Sequence, residues 1–441
     1  MSEPLEIDYP EDWHVVPFSS IVRELRGGDW GDESAGPDAH PVFALRGTDF
    51  VRAGSGNLQG TPLRYVKQKS IEKRRLLSGD LLVEMSGGSV DQQTGRIMLV
   101  RERTLGNSSL PILYSNFVKR LRIDESVVSP DYAAWFWNFL YQRRRMFVYE
   151  KRTTGIRNFK LNDFLDNESV AYPSPREQKV IVSTLECVLA AKEAAEKTIA
   201  AARQLKASLM RHLFTYGPVP AGAADRVTLK ETEFGSVPSH WEVGRIGNHA
   251  KVGNGSTPRR TNASYWEGGT IPWLTSGKVY DRIIREANEY VTEIACEECH
   301  LPLVKKGSIV VAITGQGKTL GNAALLDLDT CVSQHLAYIQ PKDDRIVPEF
   351  LLAFLHQRYE HFRDVSSGGG STKGALTCGF LKGYPCPLPP KDEQTEIAAI
   401  IKAAERKWAA SRSRAQALDA LFRSLLHHLM TGKIRVGNFA P

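Results

Sequence analysis

The segment "PEDWHVV" around Trp13 returns as "PSHWEVG" around Trp241, 228 residues further on. The same offset carries "GDLLVEMSGG", 79–88, onto "GSIVVAITGQ", 307–316. It shortens to 218 where "SPDYAAWFWNFL" from Ser129 meets "VPEFLLAFLHQR" from Val347, and to 216 where "EQKVIVSTL" from Glu177 meets "EQTEIAAII" from Glu393. The pair His212-Leu213 falls on His428-Leu429. Repeats are the first thing to seek in a long chain because they dictate its architecture. This chain is one plan written twice, so its 441 residues must form two similar bodies rather than one core.

Each half closes with a long helical pattern. "YPSPREQ" and "YPCPLPPKDEQ" set prolines just before a first turn that holds a glutamate, which suits a helix N-terminus. Apolar residues then recur with 4,3 spacing: Ile397, Ile401, Ala404, Trp408, Ser411, Ala415, Leu418, Phe422, Leu425 and Leu429. In the first half the matching stripe is Ile181, Leu185, Val188, Lys192, Ala195, Ile199, Ala202, Lys206, Leu209 and Leu213, with Leu205 beside it as a further interface candidate. Two heptad stripes in one phase predict a coiled coil, weakened where Lys192 and Lys206 interrupt it. Gly217 and Gly432 end the helices, with His212, His427 and His428 suited to their last turns. If a two-fold axis relates the halves, the helices pack antiparallel and hold the two globular parts at opposite ends of a rod.

The globular parts read as mixed α/β. "DLLVEM", "RIMLV", "SIVVAI" and "HLAYI" are strands, and one helix per half runs through "PDYAAWFWNFLYQRRRMFV" and "PEFLLAFLHQRYEHFRDV". The expected division is a first domain 1–172, a helix 173–217, a linker 218–229, a second domain 230–383, a helix 384–432 and a tail 433–441.

Composition narrows the function classes. A net charge of +7 and a pI near 9.0 fit a nucleic-acid partner, although a cytosolic protein of other function can be as basic. The acidic start "MSEPLEIDYPEDW" has no apolar core, and no stretch reaches the ~18 apolar residues of a membrane span. The expected setting is the cytoplasm, with six free cysteines in a reducing compartment. "CEECH", Cys296–His300, matches a haem-attachment pattern, but that chemistry needs export. A zinc site needs a second close Cys/His pair, and none lies nearby. The cysteines are expected to be small packing residues.

"AITGQGKT", Ala312–Thr319, resembles the second half of a P-loop, with Ala312 where the first glycine belongs. Its duplicate, "EMSGGSVD" at 84–91, keeps the strand and the Ser/Thr-Gly turn but lacks Lys-Thr. What the two share is a turn requirement, so Lys318 is read as a basic loop-tip residue. An ATPase using Lys318 is the rival enzyme reading, and a scaffold spacing two protein-binding domains is another.

The P-x-x-W-x-V entry, the G-D/S-L/I-L/V strand, the loops "RTTGIRNFKL" and "SSGGGSTKGAL", and the Pro-rich "EQ" helix starts occur twice in one order. On these the chain resembles, over almost its full length, the specificity (S) subunit of type I restriction–modification systems. The resemblance implies two α/β (mixed α+β) target-recognition domains with pseudo-two-fold symmetry, joined by an antiparallel coiled coil. Each domain would read half of a bipartite, asymmetric double-stranded DNA site. The coiled coil would set the half-site spacing and dock two adenine methyltransferase subunits, with up to two ATP-dependent restriction subunits. S-adenosylmethionine, ATP and Mg²⁺ would belong to those partners. The chain holds no N-P-P-[YF] motif and no Rossmann-type glycine loop, and is expected to catalyse nothing itself.

DNA reading needs basic and amide side chains on loops. The first-half candidates are Lys67, Lys69, Lys73, Arg74 and Arg75; Arg143, Arg144 and Arg145; and Lys151, Arg152, Arg157 and Asn158. In the second half they are Arg259, Arg260, Lys278, Gln316, Lys318 and Lys373. A basic run is as often a plain solvated face. Trp408, within the heptad stripe, is read as a core or partner contact rather than a base-stacking residue.

The ruler role of the helices generates a test. A matched four-residue insertion in both, within Ala190–Ala202 and Arg406–Leu418, adds about 6 Å of helix. At about 3.4 Å per base pair, the methylated site should gain one or two spacer base pairs with both half-sites kept, as read by methylome sequencing. An unchanged spacer rejects the ruler.

Overall fold

Leu81–Glu84 and Ile309–Ala312, the two copies of the G-x-L/I-L/V run, are buried at every residue; their apolar residues suit a strand covered on both faces, and the Glu84 carboxylate that ends the first accepts from Arg96 Nε at 2.8 Å. The computed structural model describes residues 7–88, 92–106, 108–153, 156–315, 318–367 and 376–436. By its contacts the chain divides into two units, Met1–Ala195 with Arg414–Pro441, and Glu196–Ser413.

In the first unit, Leu81–Glu84 is central in an antiparallel sheet of order Val22–Gly27, Val118–Ile123, Leu81–Glu84, Ile97–Leu99. Beside it lies a three-stranded sheet of Leu63–Lys67, Ala39–Leu45 and Ile112–Tyr114, whose last pair is parallel. The second unit repeats this. Its main sheet has the order Ala250–Asn254, Leu336–Pro341, Ile309–Ala312, Ala323–Leu326, with Ile283–Ile284 added at the edge. Its small sheet is Glu289–Val291, Ile271–Leu274 and Cys331–Val332, the last pair again parallel. A two-stranded ribbon ties the entry of each unit to its exit: His14 pairs with Tyr172, and Glu242 with Leu388. Glu242 lies 228 residues after His14 and Leu388 lies 216 after Tyr172, the offsets of the sequence repeat, so the duplication is one of topology and register.

The tryptophans that mark the repeat, Trp13 and Trp241, are both buried. Each expected domain helix is broken in two. Pro130–Gln142 is followed by a 3-10 turn, Arg145–Tyr149, because Arg144 takes a left-handed conformation with φ 60°. Pro348–Gln357 gives way at Arg358 to a second helix, Tyr359–Ser367. The first helix of each pair starts with proline at its N-terminal turn, where the missing N–H costs nothing.

The long helices are Pro175–Tyr216 and Lys391–Met430. Gly217 and Gly432 follow them with φ of 78° and 69°, the left-handed stop that glycine adopts without strain. A Cβ at Gly432 would come within 2.5 Å of the Pro10 ring, so close approach also requires glycine there. Within the first unit the start of the first helix meets the chain just after the second, through Glu177 and Arg435, while Lys192 meets Asp419 at 2.7 Å. Within the second unit Lys206 pairs with Glu405 at 2.8 Å, and Leu213 and Phe214 share a core with Ile397 and Ile401. Residue numbers rise along one helix as they fall along the other, so the packing in each unit is antiparallel.

Of the residues assigned to the seam, Ile181, Leu185, Leu213, Ile397, Ile401, Phe422 and Leu429 are buried. Val188, Ile199, Leu209, Trp408, Leu418 and Leu425 are half-buried. Leu205 is not in the seam: it is 49% exposed. The two lysines that interrupt the stripe are the ones paired with Asp419 and Glu405.

Gln178 and Gln394 explain why "EQ" repeats. Gln178 accepts the Ser129 N–H at 3.0 Å and donates to the Pro173 carbonyl at 2.9 Å. Gln394 accepts the Val347 N–H at 2.8 Å and donates to the carbonyls of Arg345 and Pro389. Each thereby joins the start of a domain helix to the start of a long helix. Both are fully buried. Gln394→Ala orphans one amide and two carbonyls, and should cost about 2–4 kcal/mol. Denaturant melts should show this loss, whereas Lys391→Ala, at an exposed ion pair, should be near neutral.

Candidate nucleic-acid interface

The first-unit candidates fall into three places. The helix Gln68–Arg74 carries Lys69 and Lys73, with Lys67 at its cap, and all three are exposed. Arg75 next to it is exposed as well. Arg74 is turned inward: its guanidinium donates to the Gly27 carbonyl at 2.9 Å and to Ser70 Oγ at 2.9 Å.

The "RRR" triplet is split by the left-handed Arg144. Arg143 lies over the Phe139 ring and contacts His427 Nδ1 at 3.0 Å, at the end of the second long helix. Arg144 remains exposed, 5.8 Å from the centre of the Phe147 ring. Arg145 belongs to the interior. Its guanidinium and the Tyr149 hydroxyl converge on the buried Glu168 carboxylate, Nε at 2.9 Å and the hydroxyl at 2.7 Å. That phenol is held protonated well above its usual range by burial and by the carboxylate it donates to.

The third place is a hairpin, Glu150–Thr153 with Ile156–Phe159, whose second strand pairs with Ser86–Gly87. Arg157 and Asn158 of "RTTGIRN" are therefore brought beside Ser86 and Gly87, which follow the central strand and lie far away in sequence. Lys151 is exposed on the first strand of the hairpin. Arg157 is committed to the buried Glu150 carboxylate at 3.2 Å, and Asn158 Oδ1 accepts from Ser86 Oγ at 2.5 Å. The Arg152 side chain lies outside the described residues, as do Gln316 and Lys373 in the second unit.

In the second unit Arg260 stacks on Trp266, 4.1 Å from the ring centre, and pairs with Glu289. Arg259 beside it is exposed. Lys278 is half-buried and paired with Asp281 at 2.5 Å. Lys318 is exposed, and its carbonyl accepts from the Tyr359 hydroxyl at 2.7 Å. A P-loop runs from strand into helix; here the chain leaves Ile309–Ala312, turns, and returns as the antiparallel strand Ala323–Leu326. The helix whose N-terminus would hold a phosphate is replaced by a strand.

The cysteines of "CEECH" pack as expected. Cys296 Sγ lies 3.8 Å from Cys331 Sγ, in a small core around Trp273 and Val291. Burial pushes the Cys331 thiol up to about 12, so it stays a thiol.

Two arginines that sequence patterns did not single out fasten domain to helix. Arg101 bridges Asp131 and Glu186 in the first unit. In the second, Arg282 meets Glu405 and donates to His356 Nδ1 at 2.9 Å, while His356 Nε2 donates to the Ala323 carbonyl. Burial, and then the guanidinium, lower the His356 pKa to about 4, which keeps the ring neutral and able to accept. Arg120 and Arg122 are held likewise by Glu24 and Asp80. No sequence spacing reports these pairs, because the partners lie tens of residues apart.

Residues 238–419 match the family model described as the type I restriction modification DNA specificity domain. These residues carry the type I DNA specificity domain, and along nearly its whole length the chain is similar to type I specificity subunits. The Methanocaldococcus jannaschii type I restriction enzyme MjaX specificity subunit is 23% identical to it over 437 residues, covering 97% of this chain and 95% of that one. The MjaIX specificity subunit of the same organism is 33% identical over 178 residues, 39% of this chain and 40% of the relative. The S subunit crystal structure from M. genitalium shares the fold, with a TM-score of 0.57 at 15% identity, over 97% of this chain and 98% of that one. Among the described residues, no helix is long and apolar enough to cross a membrane.

The exposed lysines and the buried arginines separate cleanly by mutation. Lys318→Ala should leave thermal stability unchanged, weaken DNA binding of the assembled complex, and lower its salt slope by about one counterion. Arg145→Ala should instead lower the melting temperature of the chain, because it strands the Glu168 carboxylate. Calorimetry and salt-dependent binding read the two effects, and saturable Mg²⁺–ATP binding lost in Lys318→Ala would reverse the assignment.

Proposed function

We propose that this specificity subunit reads a split, asymmetric double-stranded DNA site, with one half-site for each unit. As a specificity subunit it is a non-catalytic component of a type I complex. The observation that carries the reading is one topology repeated with different exposed chemistry. Beside its small sheet, the first unit sets the lysine-bearing helix Gln68–Arg74; at its own small sheet, the second sets Arg259 and the Arg260–Trp266 stack. A shared frame supports a shared mode of docking on the duplex, and different side chains at its surface support different base preferences.

The exposed set Lys67, Lys69, Lys73, Arg75, Arg144, Lys151, Arg259 and Lys318 supplies the charge that phosphate contact needs. Arg145, Arg157 and Lys278 are withdrawn from that role by the carboxylates that hold them. The assembly in this reading contains two adenine methyltransferase subunits and up to two restriction subunits. S-adenosylmethionine, ATP and Mg²⁺ are taken up by those partners.

Replacing residues 1–172 by the corresponding domain of another family member should change one half-site of the methylated sequence and leave the other intact. Methylome sequencing of cells carrying the chimera decides it. A change in both half-sites, or in neither, refutes the assignment of one half-site per unit.

A further inference from the structure

Each unit passes from its small sheet to its main sheet through one turn, 115–117 in the first and 333–335 in the second. At the offset of 218 the two turns match bond for bond. Ser115 N–H donates to the Leu45 carbonyl at 2.9 Å, and Ser333 N–H to the Leu274 carbonyl at 2.9 Å. Val118 N–H closes on the Ser115 carbonyl at 2.9 Å, and Leu336 N–H on the Ser333 carbonyl at 3.1 Å. A third bond comes from the residue after the central strand: Met85 N–H donates to the Phe117 carbonyl at 2.8 Å, and Ile313 N–H to the His335 carbonyl at 3.0 Å. Close approach requires glycine behind each turn. A Cβ at Gly28 would lie 2.0 Å from the Ser115 carbonyl oxygen, and one at Gly255 1.6 Å from that of Val332. The backbone of both turns is therefore fixed, and fixed alike.

Ser115 and Val118 are buried, as are Ser333 and Leu336, and the two residues between them are exposed: Asn116–Phe117 in one turn, Gln334–His335 in the other. An exposed phenylalanine, 58% for Phe117, is commonplace by itself. Its place in the frame gives it meaning. A carboxamide stands before it, as one stands before His335, and among the described residues neither carboxamide makes a hydrogen bond. Asn116, Phe117 and Gln334 carry no charge, which sets them apart from the exposed lysines that suit phosphate. The lysines are nevertheless close at hand. The Met85 carbonyl accepts from Phe159 N–H at 2.8 Å, so Met85 bridges the first turn to the hairpin that carries Lys151. Ile313 repeats this bridge in the second unit, accepting from Leu376 N–H at 2.8 Å.

We infer that these two turns are base readers, with Asn116 pairing to an adenine in the half-site of the first unit and Gln334 to an adenine in that of the second. The inference rests on the reading of one half-site per unit and names side chains that carry it. A carboxamide donates to adenine N7 while accepting from its N6 amino group, and an apolar group meets the thymine methyl in the major groove. Phe117 accordingly selects a thymine next to its adenine. His335, in the same slot, offers a hydrogen-bonding ring whose Nδ1 is held by Thr314 Oγ1 at 2.5 Å, and so selects a different neighbour. Base reading demands a contact set held in one geometry by its supporting shell, which the three backbone bonds and the glycine provide. An identical frame with an amide kept and its neighbour changed accounts for half-sites that are docked alike and read differently.

The test uses the full chain assembled with its methyltransferase subunits, read by methylome sequencing and by binding to duplexes varied one base pair at a time. Asn116→Ala should relax the preference for one adenine in the first unit's half-site by about tenfold or more, with the other half-site and the salt slope unchanged. Gln334→Ala should do the same in the second unit's half-site. Uracil in place of the adjacent thymine should weaken the wild-type complex and have no further effect on Phe117→Ala. The bonds that hold the turns are backbone bonds, so all three variants should melt as the wild type does. Uniform weakening over every sequence, with a smaller salt slope, assigns the turns to phosphate and overturns base reading. Unchanged preferences in all three variants, while exchange of residues 1–172 still alters one half-site, overturns the turns as readers and leaves the half-site reading standing. Failure of that exchange to alter a single half-site overturns both.

Discussion

A glutamine shut off from solvent stands at the start of each long helix, and the rest of each unit is arranged around what it holds. Its side-chain amide ties three chain segments that have no other reason to meet at a fixed angle: the loop before the domain helix, the proline that precedes the long helix, and the helix itself. A buried amide can be tolerated only when its donors and acceptors are matched, so the geometry around Gln178 and Gln394 has little freedom. The residue before each glutamine is used differently. Glu393 accepts from the Trp241 indole at 2.8 Å and contacts His240. Glu177 is instead taken by Arg435, which also grips Asp12, and among the described residues the Trp13 indole N–H has no acceptor. The two copies keep the anchor while letting its outer partner diverge.

Much of this frame is legible in the sequence alone. Trp13 and Trp241, the "EQ" starts, Gly217 and Gly432 and the heptad stripes are local signals, each set by helix geometry or by a turn. They landed where the patterns placed them. The strands "DLLVEM" and "SIVVAI" did so because each carries a short apolar run, Leu81–Val83 and Ile309–Ile313, of the kind a buried strand needs. The breaks at Arg144 and Arg358 were not legible, since neither position carries glycine or proline and the helical pattern runs through both.

The basic residues were harder for a different reason. Charge is visible in a sequence, but the identity of its partner is not. Arg145 and Arg144 are neighbours, yet one is spent on Glu168 and the other points to solvent. Arg157 and Lys151 share a hairpin, and only the first has Glu150 within reach. Burial of the acceptor decides each case, because an isolated carboxylate in the interior is costly and recruits whatever guanidinium is near. Glu150, Glu168 and Asp80 are buried side chains, and each claims an arginine that would otherwise count as surface charge.

The same logic makes sense of the lysines that weaken the first heptad stripe. Lys192 faces Asp419 and lies 5.9 Å from the centre of the Phe422 ring, and Lys206 faces Glu405. The position in the first helix that corresponds to Asp419 is Arg203. If the first helix paired with a copy of itself in the same register, Lys192 would meet an arginine. An ion pair this close to solvent adds at most about 1 kcal/mol, so its worth as stability is small. Its worth as discrimination is larger, because the correct pairing gains an attraction that self-pairing turns into repulsion. Duplicated helices carry an inherent ambiguity about which copy pairs with which. Placing lysines in one stripe, with the acids that answer them on the other helix, resolves it.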